Sequence, residues 1–262
     1  MKIASWNVNS IRVRQQHVTD WLAAQTPDVL GLQELKMPTD DFPVADFASA
    51  GYHAVAFGQK TYNGVALLSR TEPADINEGI PGFADEQRRA IAGTYGAGTD
   101  GDIRVINLYV PNGQSVGSEK YEYKLAWLDA LTEYLADELT RHPRIVVMGD
   151  FNIAPDDRDV HDAEEWQDKI LCSVPERERL QAIEALGFVD SFRLFEQPEA
   201  SFSWWDYRAA AFRRKRGLRI DLVLASTALA AACTASSIDT EPRKLERPSD
   251  HAPVFAEFAE FG

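Results

Sequence analysis

The chain has 262 residues, of which 45% are hydrophobic and 26% are charged, and its net charge is −14. This length is enough to bury a large core, and the composition excludes general disorder. The only two cysteines, Cys172 and Cys233, match neither a disulfide framework nor a zinc motif, which favours a reducing compartment. The acidic balance excludes a uniformly nucleic-acid-binding surface, because such a surface would repel a polyanion.

No segment has the pattern of a targeting or membrane element. Residues 1–7 (MKIASWN) run into a strand-like segment without the apolar block of a signal peptide. The alanine-rich stretch 225–235 is interrupted by serine and threonine and is too short to span a bilayer. The sequence therefore predicts a cytoplasmic protein that makes no membrane contact.

In chain order, short apolar runs that end in a polar residue alternate with amphipathic helices. Seven runs predict buried strands: Lys2–Asn9, Asp28–Glu34, Gly64–Arg70, Ile103–Tyr109, Arg144–Asp150, Arg219–Ala225 and Ala252–Phe258. Apolar spacing predicts helices over 11–25 and 119–141, and Ser173-Val174-Pro175-Glu176 predicts a capped helix that Gly187 ends. Because no linker or repeat interrupts this alternation, we expect one layered α/β domain over residues 1–262.

Acids and amides follow several of the predicted strands. Asp150 and Asn152 lie two apart after the run 145–149, so they share a face, and alone they fit a loop cap equally well. Asp221 lies among branched aliphatic residues, where a carboxylate needs a partner such as histidine or arginine. Asp250 and His251 precede the last strand, and as an isolated pair they fit an ordinary surface turn better than a site.

The sequence pattern as a whole indicates metal-dependent phosphoester hydrolysis. Seven residues at or near predicted strand ends form the set Asn7, Glu34, Asp150, Asn152, Asp221, Asp250 and His251. Magnesium takes oxygen ligands, and phosphoester hydrolysis needs neutralised phosphoryl oxygens, a positioned water and help for the leaving oxygen. The sequence has no Gly-Lys-Ser/Thr loop, Gly-x-Gly-x-x-Gly or Gly-x-Ser-x-Gly, which excludes nucleotide-triphosphate, dinucleotide and serine-hydrolase classes.

Seven motifs, in family order over residues 2–258, resemble the signatures of the exonuclease III family of apurinic/apyrimidinic endonucleases, within the endonuclease/exonuclease/phosphatase superfamily. They are Trp6-Asn7-Val8-Asn9, Leu32-Gln33-Glu34, Gln87-Arg88-Arg89, Gly149-Asp150-Phe151-Asn152, Ser203-Trp204-Trp205-Asp206-Tyr207-Arg208, Gly217-Leu218-Arg219-Ile220-Asp221 and Ser249-Asp250-His251-Ala252-Pro253-Val254. The resemblance implies a four-layer α/β sandwich in which two packed mixed β-sheets are flanked by helices. It also implies an active site at one rim of the sheets and Mg²⁺ as the cofactor, with Mn²⁺ as a substitute.

The resemblance implies a role for each site residue. The implied metal set is Asn7, Glu34, Asp150, Asn152, Asp250 and His251, with Glu34 as the principal ligand. The implied catalytic set is Tyr109, Asp150, Asn152, Asp221 and His251. Asp150 would orient or deprotonate the attacking water and Asn152 would hold it, whereas Tyr109 and His251, the latter paired with Asp221, would contact the scissile phosphate. Which group is the general base stays open.

Segment 202–219 interleaves aromatic and basic residues, and residues 208–219 contain no acid. Such a segment can stack on bases or sugars and hold phosphates, although buried aromatics on a solvated face give the same pattern. By resemblance, Trp204 and Trp205 would pack against a flipped-out abasic sugar. The predicted DNA-binding residues are Arg88, Asn112, Lys120, Lys124, Trp204, Trp205, Arg208, Arg213, Arg214, Lys215 and Arg216.

The sequence thus predicts a monomeric, magnesium-dependent DNA repair nuclease. Its substrate would be double-stranded DNA with abasic sites or damaged or recessed 3′ ends, cut by 3′–5′ exonuclease, abasic-site endonuclease and 3′-end trimming activities. The acid-rich stretch 156–169 would weaken the grip on duplex DNA, so the balance between these activities stays open. Two alternatives are a superfamily phosphoesterase for small or lipid phosphoesters, which the net charge favours, and a nucleic-acid binder without catalysis.

Overall fold

The computed structural model describes residues 1–99 and 101–259 of the chain. This part contains the strands β1 (Lys2–Asn7), β2 (Val29–Gln33), β3 (His53–Phe57), β4 (Val65–Ser69), β5 (Ala74–Glu78), β6 (Ala90–Tyr95), β7 (Ile103–Tyr109), β8 (Ile145–Asp150), β9 (Phe188–Asp190), β10 (Asp221–Ser226), β11 (Cys233–Ile238) and β12 (Val254–Phe258). Its α-helices are α1 (Ile11–Gln25), α2 (Val44–Ser49), α3 (Glu119–Arg141), α4 (Ala163–Trp166), α5 (Val174–Ala185) and α6 (Thr227–Ala230). Among the described residues, no helix has the length and apolar character needed to cross a bilayer.

The strands form two six-stranded sheets. Sheet A has the order β11-β12-β1-β2-β4-β3, and sheet B has the order β5-β6-β7-β8-β10-β9. In sheet A, β1 and β2 pair in parallel, and in sheet B, β7 and β8 do so. Since the remaining pairs are antiparallel, both sheets are mixed, as the resemblance implied.

Three large apolar clusters separate four layers. The first fills the space between the facing sides of the two sheets, where Val29 of β2 and Val146 of β8 are fully buried. The second covers the outer face of sheet A and includes Trp21 of α1. The third covers the outer face of sheet B and includes Trp127 of α3. Each sheet thus buries both faces, and the predicted four-layer α/β sandwich is confirmed.

Most elements predicted from the sequence are present. The helices over residues 11–25 and 119–141 are confirmed with the same bounds, and all seven predicted strands occur, most of them shortened by one or two residues. Glu176 closes the predicted capping box of α5 by accepting a hydrogen bond from Ser173 N at 3.1 Å. The single domain over 1–262 stays a prediction, and residues 100 and 260–262 lie outside the described part.

Five strands carry too weak a signal to be predicted from the sequence. β5 is mostly exposed, β3 and β11 are half-buried edge strands, and β9 has 3 residues. β6 is fully buried, but Gly93 interrupts its short apolar run. Edge strands need only part of one face buried, so their sequences lack a continuous apolar pattern.

Candidate active site

One rim of the sandwich gathers strand ends from both sheets. In sheet A the parallel strands β1 and β2 end side by side at Asn7 and Gln33. In sheet B the parallel strands β7 and β8 end side by side at Tyr109 and Asp150. Because β10 runs antiparallel to β8, its first residue, Asp221, lies opposite Asp150. Polar residues far apart in the chain therefore meet at this rim.

Asn7, Glu34, Asp150, Asp221 and His251 form what we call the strand-end cluster. Asn7 Nδ2 donates to Glu34 Oε1 and to Asp150 Oδ2, at 2.9 Å each, and so joins the two sheets. His251 Nδ1 lies 2.9 Å from Asp221 Oδ2, and its Nε2 lies 3.7 Å from Asp150 Oδ2. All of these side chains are buried except that of Glu34, which is partly exposed.

The backbone at the rim adopts conformations that few residues tolerate. Gly149 has φ +147°, and a Cβ atom there would lie 1.9 Å from Leu108 O on the neighbouring strand. Glycine is therefore required immediately before Asp150. Glu34 and Asn152 have left-handed φ values of +54° and +49°, respectively. These turns explain why β2 ends before Glu34 and why the chain bends away after β8.

Burial and mutual charge set the protonation of the cluster. Burial raises the pKa of Asp150 to about 7, and the negative charges of Asp221 and Glu34 add to this effect while His251 opposes it. Burial alone would lower the pKa of His251, but the carboxylates of Asp221 and Asp150 together raise it to about 10. The cluster therefore combines an imidazolium with three carboxyl groups, and the Lys36 ammonium, 2.9 Å from Glu34 Oε2, offsets only part of the remaining negative charge.

A metal ion fits this deficit of positive charge. One ligand atom from each of Glu34, Asp150 and His251 lies within 4.8 Å of the others. The carboxylates of Glu34 and Asp150 accept from the same Asn7 amide, so they lie close enough to share a cation. His251 is less suited to ligation, because a ring held protonated by Asp221 offers no free lone pair at Nε2. The carboxylates are the donors that suit a hard cation.

Asp250 lies beside the cluster and is connected to it by a chain of polar contacts. Its Oδ1 accepts from Asn9 Nδ2 at 3.0 Å, and its Oδ2 accepts from Trp204 Nε1 at 3.1 Å. Lys36 completes the chain, because its Nζ donates to Asn9 Oδ1 and lies 2.9 Å from Glu34 Oε2. Sequence reasoning missed Lys36, although its place two residues after Glu34 was a usable signal.

Asn152 and Tyr109 complete the predicted catalytic residues at the rim. Asn152 N donates to Asp150 Oδ1 at 2.9 Å, and its side chain accepts from Asn112 Nδ2 at 3.1 Å. Tyr109 is half-buried, and the Arg89 guanidinium lies 4.7 Å from the centre of its ring. Burial raises the pKa of Tyr109 well above its usual value, and the charges of Glu34 and Asp150 reinforce the shift. Tyr109 is therefore a hydroxyl donor at neutral pH.

A cleft of about 1060 Å³ opens next to the strand-end cluster. Tyr109 and Asn112 form part of its wall, and the exposed cations Lys120 and Arg208 line it as well. Tyr62, 68% exposed, also lines the cleft, although sequence reasoning did not single it out. Tyr62 lies on an irregular loop, where no periodic pattern distinguishes a surface aromatic from a core one.

Residues 204–216 form what we call the basic segment. Its four exposed cations are Arg208, Arg213, Arg214 and Lys215. Arg216 is half-buried and is engaged by the acid-rich stretch, since its Nη2 lies 2.7 Å from Glu165 Oε2. Trp204 is half-buried and donates to Asp250, whereas Trp205 is buried and packs edge-on against Phe212 at 5.0 Å between ring centres.

Three of the predicted DNA-binding residues are buried or are bound to other parts of the protein. Lys124 is fully buried and forms an ion pair with Glu176, so its ammonium has no path to a phosphate. Trp205 is also buried, so its ring is not a stacking surface. Arg88 is half-buried and donates from Nη1 to Gly58 O at 2.7 Å, which holds its guanidinium against the loop that carries Tyr62.

Comparison with known proteins identifies the family. Residues 4–251 match the Endonuclease/Exonuclease/phosphatase family. Exodeoxyribonuclease III of Haemophilus influenzae is 38% identical over 98% of this chain and 100% of its own. A 3′ phosphatase, NExo, from Neisseria, solved with a product DNA hairpin, is 51% identical with a TM-score of 0.95 and 99% coverage of both chains.

An AP endonuclease from Archaeoglobus fulgidus, also of known structure, is 40% identical and has a TM-score of 0.92. The match covers 98% of this chain and 99% of that protein's chain. The matches extend over nearly the whole chain and include both the sheets and the rim that carries the strand-end cluster. The protein therefore belongs to the Endonuclease/Exonuclease/phosphatase family, in the exonuclease III and AP endonuclease branch of hydrolytic nucleases.

Proposed function

We propose that the protein is a magnesium-dependent DNA repair nuclease that hydrolyses phosphodiester bonds at abasic sites and recessed 3′ ends and removes phosphate groups from damaged 3′ ends. The observation that carries the proposal is the convergence of Glu34, Asp150 and His251 beside an open cleft lined by exposed cations. Relatives described as an exodeoxyribonuclease III, a 3′ phosphatase and an AP endonuclease support the same chemistry.

The carboxylates of Glu34 and Asp150 would hold Mg²⁺, with Mn²⁺ as a substitute, and Asn7 would orient both of them through its amide. When bound, the cation supplies positive charge to the phosphoryl oxygens of the substrate. Asp250 contributes from a distance, because the chain through Asn9 and Lys36 links it to Glu34. Asp250 is accordingly a supporting residue at the metal site.

Asp150 would orient and deprotonate the attacking water, and Asn152 would hold that water in place. The two residues are already joined, because Asn152 N donates to Asp150 Oδ1 at 2.9 Å. His251, kept protonated by Asp221, would donate to a phosphoryl oxygen, where negative charge grows in the transition state. The Tyr109 hydroxyl would donate to the same phosphate.

The basic segment would hold the phosphates that flank the scissile bond. Arg208, Arg213, Arg214 and Lys215 are exposed, and Trp204 of the same segment donates to Asp250. Lys120 and Asn112 would contact the strand that crosses the cleft. We further propose a monomer, since one chain supplies the whole strand-end cluster, and a cytoplasmic setting, since Cys172 and Cys233 are both free thiols.

The test offers the purified protein a duplex with one internal abasic site, a duplex with a recessed 3′ phosphate, and a small phosphodiester. With Mg²⁺ we expect strand cleavage at the abasic site and release of phosphate from the 3′ end, and with chelator we expect neither. Asp150→Asn should lower kcat by about 10³-fold, because it removes both the base and a metal ligand. The control Asp137→Asn changes an exposed acid near the end of α3 and should keep kcat.

Cleavage that persists in chelator would exclude the metal-dependent mechanism. Hydrolysis of the small phosphodiester without cleavage of either duplex would instead favour a small-molecule phosphoesterase, the class that the net charge of −14 suits. Unchanged kcat in Asp150→Asn would remove Asp150 from the mechanism.

A further inference from the structure

A fully buried ion pair lies beneath the active-site rim. Lys124 of α3 and Glu176 of α5 have no exposed surface, and their charged groups are in direct contact. Lys124 Nζ also donates to Asn152 O at 2.7 Å and to Asn112 O at 3.2 Å. The three hydrogens of the ammonium are thus all used, and two of them go to the loops that follow β8 and β7.

Glu176 connects the Lys124 ammonium to the start of α5. Its Oε2 accepts from Ser173 N at 3.1 Å and closes the capping box, while its Oε1 accepts from Leu171 N at 3.1 Å as well as from Lys124. The pair therefore joins the loop that leads into α5 to the loops after β7 and β8. A shift of any one of the three would have to break a buried charged contact.

Asn152 depends on such outside support. Its left-handed φ of +49° is a minority conformation that asparagine adopts more readily than most residues, so the contacts around Asn152 select it. Its side chain donates to Val110 O at 3.0 Å and accepts from Asn112 at 3.1 Å. Lys124 holds the main-chain carbonyls of both asparagines, which fixes their distance from one another.

We propose that Lys124 is a positioning residue for hydrolysis. Anchored by Glu176, it holds the loops of Asn112 and Asn152 so that the Asn152 amide keeps its orientation beside Asp150. The inference rests on the proposed function, because it assigns Lys124 an effect on kcat through Asn152. It also replaces the predicted role of Lys124 as a phosphate contact with one that its complete burial allows.

The protein contains a matched control for this pair. A second buried ion pair, at 2.7 Å, joins Arg104 of β7 to Glu138 of α3, the helix that also carries Lys124. It lies away from the rim, because Arg104 follows the first residue of β7 and Glu138 lies in the last turn of α3, whereas Lys124 lies near the start of that helix. Loss of either pair costs stability, but of the two only the Lys124–Glu176 pair touches an active-site loop.

The experiment compares Lys124→Met/Glu176→Gln with Arg104→Met/Glu138→Gln by steady-state kinetics on a duplex with a recessed 3′ phosphate. Glutamine at position 176 keeps an acceptor for Ser173 N, so the capping box survives. We expect the first variant to lose about 10- to 100-fold in kcat with KM changed by less than about twofold. The control should keep both constants within about twofold although its Tm falls.

A second measurement distinguishes positioning from general destabilisation. If Lys124 acts through Asn152, Lys124→Met in an Asn152→Ala background should lower kcat by less than about twofold, although each single change lowers it more. Independent effects that multiply would overturn the proposal. If Lys124→Met/Glu176→Gln does not fold, Glu176→Gln alone, which keeps the capping acceptor, should still lower kcat by about threefold at unchanged KM.

The other outcomes also decide the matter. A rise in KM with kcat unchanged would mean that Lys124 serves DNA binding, and equal kcat losses in the two ion-pair variants would mean that its role is merely structural. Both results overturn the proposal. A wild-type protein that is folded but inactive on every duplex would instead overturn the proposed function, so the two failures are distinguishable.

Discussion

The strand-end cluster and the basic segment serve one substrate but are built in opposite ways. In the strand-end cluster, the ionisable groups other than Glu34 are buried and interact with one another, and strand pairing sets the positions of Asp150 and Asp221. In the basic segment, Arg208, Arg213 and Arg214 are exposed on an irregular loop, and their charges point to solvent. The buried groups therefore have a fixed geometry, whereas the exposed cations are available to bind phosphates.

This difference divides chemistry from affinity. Preorganised buried groups act where charge develops in the transition state, and their loss appears in kcat. Exposed cations gain free energy by releasing counterions from a nucleic acid, and their loss appears in KM and in the salt dependence of binding. The same division reconciles DNA binding with the net charge of −14, since local cations at the cleft matter more for DNA binding than the total charge.

Among the changes that compare the two regions, the largest expected effect comes from a substitution inside the strand-end cluster. Asp221→Asn removes the carboxylate that lies 2.9 Å from His251 Nδ1. We expect kcat to fall by about 10²-fold, the scale of a lost charged donor at a transition state, with little change in KM. The measurement is steady-state kinetics with Mg²⁺ on the recessed 3′-phosphate duplex.

The pH profile of Asp221→Asn tests the direction in which the pKa of His251 shifts. Because the pKa of His251 is raised to about 10, the imidazolium is present below that pH and is lost as the pH rises through it. The neutral amide in Asp221→Asn no longer raises the pKa of His251, so the alkaline limb of kcat/KM should move to lower pH. Asp190→Asn, a buried aspartate that pairs with Arg219, is the control and should leave the limb in place. An alkaline limb that does not move in Asp221→Asn would separate His251 from the reaction.

The strand-end cluster could be predicted from the sequence because strands set positions by register. A buried apolar run followed at once by Asp150 places that carboxylate at a rim, and Asn7 likewise ends β1. Asp221 was predicted inside its strand, and the structure makes it the first residue of β10, opposite Asp150. The resemblance supplied the rest of the set. The pairing of sheet A with sheet B could not be derived in this way, because the Asn7–Asp150 contact joins residues 143 positions apart.

The basic segment was predictable in composition but not in exposure. Trp204 and Trp205 are adjacent, yet one is half-buried and the other is buried, and no periodicity in an irregular loop separates them. Lys124 did carry a signal, because it lies at helical spacing from the buried residues Tyr121 and Leu128 of α3. A lysine on an apolar stripe needs a buried acid, and that acid, Glu176, comes 52 residues later.

A middle-sized effect tests the exposed charges. Arg213→Gln/Arg214→Gln removes two exposed cations from the basic segment. We expect the slope of log KM against log salt to fall by roughly 2 and KM to rise by about tenfold at low salt, with kcat unchanged. The control Arg70→Gln/Arg141→Gln makes the same charge change at exposed positions outside the basic segment. An equal salt slope in the two variants would mean that net charge, not the basic segment, governs binding.

The smallest effect concerns an ion pair that joins the basic segment to the acid-rich stretch. Glu165 Oε2 lies 2.7 Å from Arg216 Nη2 and 3.6 Å from His161 Nε2. The carboxylate therefore pairs with a guanidinium that could otherwise bind a DNA phosphate. Glu165→Gln should lower KM for duplex DNA by about twofold at low salt, since exposed ion pairs are weak and screened. Asp168→Asn, an exposed acid of the same stretch, is the control for charge alone. Equal changes in both variants would show that long-range repulsion acts, whereas a change confined to Glu165→Gln would show that this single contact restrains Arg216.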